Sequence, residues 1–410
     1  MKKTTIILSI ALFSLLSCAF ALDKGEILIQ KEEQKLADTK TTQKAEENFE
    51  QPVLLEPEEQ QKEEKTLTLE EEKKFKSVLQ GIIEKDYDIN SADGMFKGQL
   101  TQHFERGPIK ENTIQLSNLM NWTEKIDNNS NFDYDYNTIN LGLKGKFRSE
   151  KESYNLLFNL TPNVHQNFWH RFVLDAWVQT KRIPHHTITF GTYRPTVGYE
   201  GAQSAFTVPF IARTQIARNF GNIRKTGLKI NGSYKYMDYY LEGYSSDTWY
   251  SEFFPGVEGI AWADFKPLAN TDGRYGTLKM GGGIQGGRRN NVDYTVTSAA
   301  LKYDYKKFGL LSEFAWADGS NGASGLTDKK RWGYNVTLTY MLTKKLQMLL
   351  RYDDFDSNKK IAHNNSREYT AGLNYFILGQ TLRVVLNYIY CQNDGKHDSH
   401  KIVVGTQFLL

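Results

Sequence analysis

The chain has 410 residues, with 51 Lys plus Arg against 48 Asp plus Glu and a mean hydropathy of -0.55. That length allows one large domain or two ordinary ones. Past the first 21 residues Cys391 is the only cysteine, which excludes an internal disulfide, and no stretch approaches the roughly 18 apolar residues of a spanning helix.

The chain opens "MKKTTIILSIALFSLLSCAFA": two lysines, an apolar run from Ile6 to Leu16, then small residues. This is the pattern of a secretory signal peptide over residues 1–21, with cleavage after Ala21 fitting Ala19-Phe20-Ala21. The rival is lipidation at Cys18, after Leu15-Leu16-Ser17. Either outcome implies export to the cell envelope.

Residues 22–67 are mostly Glu, Lys, Gln and Thr, too polar to bury a core, and read as an acidic low-complexity linker, disordered or loosely helical. Residues 22–76 hold 16 Asp and Glu against 10 Lys, a net of −6. With Lys2 and Lys3 lost in the leader, residues 77–410 carry +7. From Thr68 the pattern changes. Thr68 and Glu71 form a capping box, and Phe75, Val78, Leu79, Ile82 and Ile83 recur at helical spacing, so an amphipathic helix is expected to about Lys85. It either self-associates or rests on the body. "DYDINSADG" has some of the acids of a calcium loop, but Ser91 stands where that loop requires Gly and no Glu closes it. Residues 68–112 are therefore helix and periplasmic lead-in.

From Thr113 to Leu410 the period becomes two. "NTINLGLKGKF" sets Ile139, Leu141 and Leu143 against Asn140, Gly142, Lys144 and Lys146. "LQMLLRYDD", "LRVVLNYIY" and "KIVVGTQFLL" alternate likewise, hence strands. A soluble sandwich would alternate too. Three features favour a membrane barrel: charges on the polar face of strand after strand, Tyr, Trp and Phe near segment ends, and connections that alternate in length. "RSEKES", "KRIPHH", "YKY", "KK", "TKK" and "LGQ" are short. "DNNSNFDYD", residues 198–222, "TWYSEFFPGVEG", "GSNGASGLTDKK", "SNKKIAHNNS" and "NDGKHDSH" are long. The rhythm gives sixteen strands, with centres running from Leu116 to Thr406. An even count puts both barrel ends on the periplasmic side, and "MFKGQLTQHFER" (95–106) is left out of the ring on that ground.

"LDAWVQTKRIPHHTITFGTYRPTVGYE" resembles the phosphate-selective porin O and P family: an aspartate-aromatic strand, a short turn, then Gly-x-x-basic-Pro with a Glu beyond. The matching residues are Asp175, Trp177, Gly191, Arg194, Pro195 and Glu200. "FIARTQIARNFGNIRKTGLKINGS" is similar to that family's arginine-bearing loop and the strand after it, with Gly227 central. The likeness is clear over residues 113–270 and rests on strand rhythm beyond. Asn137, Thr138 and Asn140 stand where the family carries paired arginines, Glu200 comes one residue late, and the chain ends in Leu410. The resemblance therefore implies a porin fold more strongly than phosphate selectivity.

A barrel of this size holds a water-filled channel. Strand parity turns Lys144, Lys146, Arg171, Lys181, Lys225, Lys229, Lys279, Lys302, Arg331, Arg351, Arg383 and Lys401 inward, against Asp175, Glu242, Asp304, Glu313 and Asp353. A positive interior favours anions; the plainer reading is that these charges solvate the wall and balance one another. The loop 198–222 carries Phe206, Val208, Phe210 and Ile211 and is too apolar to extend into water. Folded inward it would narrow the channel and present Arg213 and Arg218; otherwise it covers the mouth or packs on a neighbouring subunit. The expected pore and anion-binding residues are Arg194, Arg213, Arg218, Arg224, Lys225, Lys229, Lys144, Lys146, Arg351 and Arg383.

No Gly-x-Ser-x-Gly, P-loop or dinucleotide glycine pattern occurs, and neither His165 with His170 nor His185 with His186 makes a convincing metal pair. The expectation is a non-enzymatic, all-β, 16-stranded antiparallel transmembrane barrel behind a disordered or helical N-terminal extension. It would sit in an outer membrane as a porin for small, mainly anionic solutes. The rival is a non-channel barrel acting as an adhesin or surface-structure protein. Expected partners are outer-membrane lipid, small anions and, in a homotrimer, further copies of the chain; neither a cofactor nor nucleic acid is called for.

Overall fold

The computed structural model describes residues 101–409, apart from 127–130, 162–170, 249–251, 253 and 395–396. The expected signal peptide, acidic linker, helix near 68–85 and calcium-loop-like stretch, with His165 and His170, lie outside the described residues.

A three-residue strand, β1 (Thr101–His103), precedes sixteen longer ones. These are β2 (Ile109–Ile126), β3 (Asn131–Phe147), β4 (Glu152–Asn159), β5 (Val173–Thr180), β6 (His186–Tyr193), β7 (Lys225–Ser233), β8 (Met237–Ser245) and β9 (Val257–Phe265). Then follow β10 (Thr277–Arg289), β11 (Val292–Tyr305), β12 (Phe308–Gly322), β13 (Gly325–Met341), β14 (Leu346–Asp356), β15 (Asn365–Leu378), β16 (Leu382–Asn393) and β17 (Ser399–Leu409). Each of β2 to β17 pairs antiparallel with its chain neighbours, and β17 returns to β2, with Gly405 opposite Asn121 and Gln407 opposite Leu119. The ring is closed, so no edge is left to satisfy in lipid. All sixteen expected strand centres fall inside these strands.

Burial runs opposite to that of a soluble protein. Phe190 is 61% exposed and Leu241 51%, whereas Asn335, Asn387 and Gln407 are 0% exposed. Soluble folds bury such apolar residues and expose such amides. A barrel in lipid does the reverse, because its outer face meets hydrocarbon and its inner face carries the polar contacts. On β13 to β16 the outward rings of Trp332, Tyr334, Tyr352, Tyr369 and Tyr390 follow one another at centroid distances of 5.1–5.9 Å. They form an aromatic band at the interface where amphipathic rings are best solvated.

Three expectations are corrected. "GSNGASGLTDKK" is no loop: β12 and β13 run through it, pairing Gly322 with Gly325. Alternation in connection length is not strict either, since residues 266–276 lie on the short-turn rim while β10 and β11 join through Asn290 and Asn291 at the other. Residues 101–103 of the stretch 95–106 form β1, which pairs with β2 and leaves the parity of the ring unchanged. Lys306 (φ 53°) in the Lys306-Lys307 turn shows why the short rim can be so tight: a two-residue hairpin needs left-handed backbone to match the strand twist.

Candidate functional site

Residues 194–224, between β6 and β7, turn into the barrel and line its inner wall. Phe206 packs with Leu119 and Leu409, and Ile211 and Ala212 pack with Ile389 and Val403. Ile216 and Phe220 join Tyr244, Ile260, Trp262 and Phe355. The apolar residues that made this loop unfit for water therefore have a place to go, and Val208 and Phe210 are each 1% exposed.

The wall is cut to receive it. Gly333, Gly372 and Gly405 are inward positions where an added Cβ would meet Ile216, Phe210 and Ile211 respectively. Polar side chains between them grip the loop's main chain. Arg351 donates to the Ala212 carbonyl at 2.8 Å, Asn374 to Pro209 at 3.0 Å, Arg383 to Val208 at 3.0 Å and Gln407 to Phe206 at 3.0 Å. The loop's own N–H groups run the other way: Ile211 to Asn387 Oδ1 at 3.2 Å, Gln215 to Asp353 Oδ2 at 2.6 Å, and Tyr199 and Glu200 to Glu313 Oε1. Buried backbone groups must be paired, and here the strands do it with side chains.

A short helix, α1 (Gln215–Asn219), sits in the loop. Thr214 caps it by accepting from Ala217 N at 3.3 Å, and Glu200 accepts from Thr214 N at 2.8 Å. The orphan N–H groups of its first turn thus meet carboxylates and a hydroxyl.

The expected anion-binding residues separate into groups. Arg213 is buried, donating to the carbonyls of Glu200 and, at 2.8 Å, Gln203, so it fastens the loop to itself instead of meeting passing ions. Arg351 and Arg383 are buried as loop fasteners, Arg351 also lying 4.7 Å from the Phe210 ring centre. Arg218, whose side chain is 39% exposed, bonds the buried Glu368 at 2.6 Å. Arg194 bonds Asn222 across the neck of the loop. Arg224 pairs with Asp175 at 3.1 Å, Lys229 with Glu242 at 3.1 Å and Lys146 with Glu111 at 2.6 Å. Lys225 and Glu258 form a wholly buried ion pair that Tyr294 and Asn321 complete. Lys144, exposed and facing inward next to Thr113 and Asn155, has no ion pair among the described residues. Asp238, Glu258, Asp264 and Glu368 also face inward and went unnoticed in the sequence, although the same alternation that assigned Lys229 marks them.

Burial shows where the open space is. Inward side chains of β12 to β17, such as Asn335, Asp353, Asn374 and Gln407, are 0% exposed beneath the loop. Those of β3 to β5, including Lys144, Asn155, Trp177 and Gln179, stay half-buried or exposed. Inward side chains of β8, β9 and β11, such as Glu242, Trp262 and Val296, are buried too, so the loop packs on most of the wall and leaves the inner faces of β3 to β5 to water.

Residues 276–409 match the family model of phosphate-selective porin O and P, which supports the family suspected from residues 113–270 and does so on the other half of the barrel. No curated protein matches in sequence. Among solved structures, OmpF of Salmonella typhi in complex with daunomycin is similar at 13% identity and TM-score 0.57, covering 73% of this chain and 98% of that one. An anion-selective porin from Comamonas acidovorans is similar at 11% and 0.54, covering 73% and 99%. The outer-membrane channel DcaP of Acinetobacter baumannii is similar at 9% and 0.53, covering 75% and 99%. At these identities the likeness is one of fold.

Proposed function

From a chain that matches the phosphate-selective porin O and P family over residues 276–409 and folds as an outer-membrane porin, we propose a passive channel for small hydrophilic solutes that prefers anions. The observation that carries this reading is the uneven packing of the loop 194–224 around the wall. Side chains of β12 to β17 are sealed beneath it, and the polar inner faces of β3 to β5 remain wet. A narrowed but aqueous path follows, bounded by low-dielectric walls that magnify any excess of fixed charge. Nothing in such a path couples transport to an energy source, so solutes run down their gradients. The reading includes a periplasmic N-terminal extension and a homotrimer. A solved trimer form of Vibrio cholerae OmpT, similar at 10% identity and TM-score 0.50, lends the trimer support.

The test is reconstitution into planar bilayers. Stepwise conductance with a reversal potential on the anion side in a potassium chloride gradient is expected. A correctly folded barrel without conductance steps would favour the adhesin or surface-structure reading, and a cation-side reversal potential would reject the anion preference alone.

A further inference from the structure

With the loop seated, the path left to water runs over the inner faces of β3 to β5. Most of that face is polar, but two of its inward residues are large and apolar: Leu157 on β4 and Trp177 on β5. Both are half-buried, so part of each meets the bore. Trp177 lies opposite Gly191, two residues before β6 ends at Tyr193, which puts it on the short-turn side of the loop's neck. A solute moving between loop and wall passes it.

Other inward rings are engaged. Lys229 lies 5.6 Å from the Tyr193 ring centre and 5.2 Å from that of Tyr240, and Phe355 packs on Phe220 at 5.7 Å. Trp262 donates its indole N–H to Asp264 at 2.7 Å. The Trp177 indole has neither a ring contact nor a hydrogen bond among the described residues. An indole is a large apolar surface with a donor at its edge, and folded chains ordinarily cover the one and pair the other.

Its neighbours keep it open. Gly191 has φ 126° and an added Cβ there would lie 2.2 Å from the Ala176 carbonyl oxygen, so no side chain can stand beside Trp177 on β6. Gly142 is the bare position beside Leu157 on β3.

The polar groups around this floor favour one kind of solute. Asn155 stands between Lys144 and Trp177 in the strand register, and neither Lys144 nor Asn155 has a side-chain partner among the described residues. These are donors. The acceptors are taken: Arg224 holds Asp175 at 3.1 Å, and Ser153 accepts from Gln179 at 2.8 Å. A sugar brings hydroxyl donors that would go unmet here, whereas a carboxylate brings acceptors alone.

We propose that Trp177 and Leu157 form a stacking subsite for small carboxylates that carry a flat apolar ring, with Lys144 and Asn155 meeting the carboxylate. The proposal deepens the porin reading above and rests on it. The ring of such a solute takes apolar surface of Trp177 and Leu157 out of water and stacks on the indole. Lys144 stands two strands from Trp177, roughly 10 Å at ordinary strand spacing, which its own stem and the length of an aryl carboxylate span together. Contact from one wall alone favours entry without trapping the solute, as conduction requires.

The test is block of chloride current through the full chain in planar bilayers, with potassium benzoate as probe and heat-shifted migration as the folding check. Half-block of the wild-type current is expected at about 1–10 mM benzoate, the affinity of a small, one-sided contact. Acetate has the charge without the ring and glucose the ring shape without the charge, and each should need roughly tenfold more. W177A should raise the half-block concentration of benzoate roughly fivefold or more, W177F should restore most of the block, and K144Q should also weaken it. A folded W177A with wild-type sensitivity to benzoate overturns the proposal while leaving the channel intact. So does a wild-type channel that conducts chloride yet ignores benzoate at about 50 mM, and so does acetate or glucose acting as well as benzoate. A folded barrel without conductance steps would instead bring down the reading on which the proposal rests.

Discussion

The two arginines that grip the loop from the wall give a sharp test of what narrows the bore. In R351M/R383M the methionines keep much of each apolar stem, so packing beneath the loop is largely retained while both guanidinium groups are lost. The carbonyls of Ala212 and Val208 then lose donors at 2.8 and 3.0 Å. A hydrogen bond to a charged group contributes about 1.5–3 kcal/mol. The space each guanidinium leaves can admit a water molecule to its freed carbonyl, so the low end applies, about 3 kcal/mol for the pair. That lowers the ratio of docked to undocked loop roughly 100-fold. Each single variant should lower it about tenfold, since Ala212 and Val208 are gripped separately. Single-channel recording reads this directly: brief excursions to a larger conductance, rare in wild type, more frequent in each single variant and dominant in the double. Heat-shifted migration should persist, because every ladder bond of β14 and β16 is untouched. A folded double variant with wild-type conductance and no larger level would refute the reasoning, because either the arginines do not hold the loop or the loop does not narrow the path.

Other perturbations follow from the same contacts. In G405A the new Cβ would lie 2.2 Å from Ile211 Cδ1 and 3.0 Å from Cγ1, so the loop must give way, at a cost of about 1–3 kcal/mol; a lower unfolding temperature on heated gels is expected, with recovery in I211A/G405A. K225M strands the Glu258 carboxylate in a site where both partners are 0% exposed and should cost about 3–5 kcal/mol, much of it regained in K225M/E258Q. Denaturant titration of the two variants checks this, and equal instability of both would argue against the pair. Cys391, 4% exposed among Ile389 and Val403 beneath the loop, should resist a membrane-impermeant maleimide until the barrel is unfolded; rapid labelling of the folded protein would place it elsewhere.

Strand number, register direction and the facing of nearly every side chain were legible in the sequence, because a two-residue period is a local property. Leu141 against Lys144, or Leu350 against Arg351, needs no partner to be read, and lipid outside with water inside makes the alternation strict. So was the unfitness of Phe206, Val208, Phe210 and Ile211 for open water. Hairpins that run past the membrane were not legible: "GSNGASGLTDKK" has the composition of a loop, yet β12 and β13 support each other through it. What each inward charge does was also beyond local reading. Lys144 and Arg383 look alike in sequence, both basic and both inward. The first stands in water and the second is 1% exposed with its guanidinium on Val208 and Gln407. The difference comes from a loop some 175 residues away in the chain pressing on one part of the wall and not another. Parity fixes which face a side chain occupies, but only the closed ring and its inserted loop decide whether that face meets water, a carboxylate or another stretch of backbone.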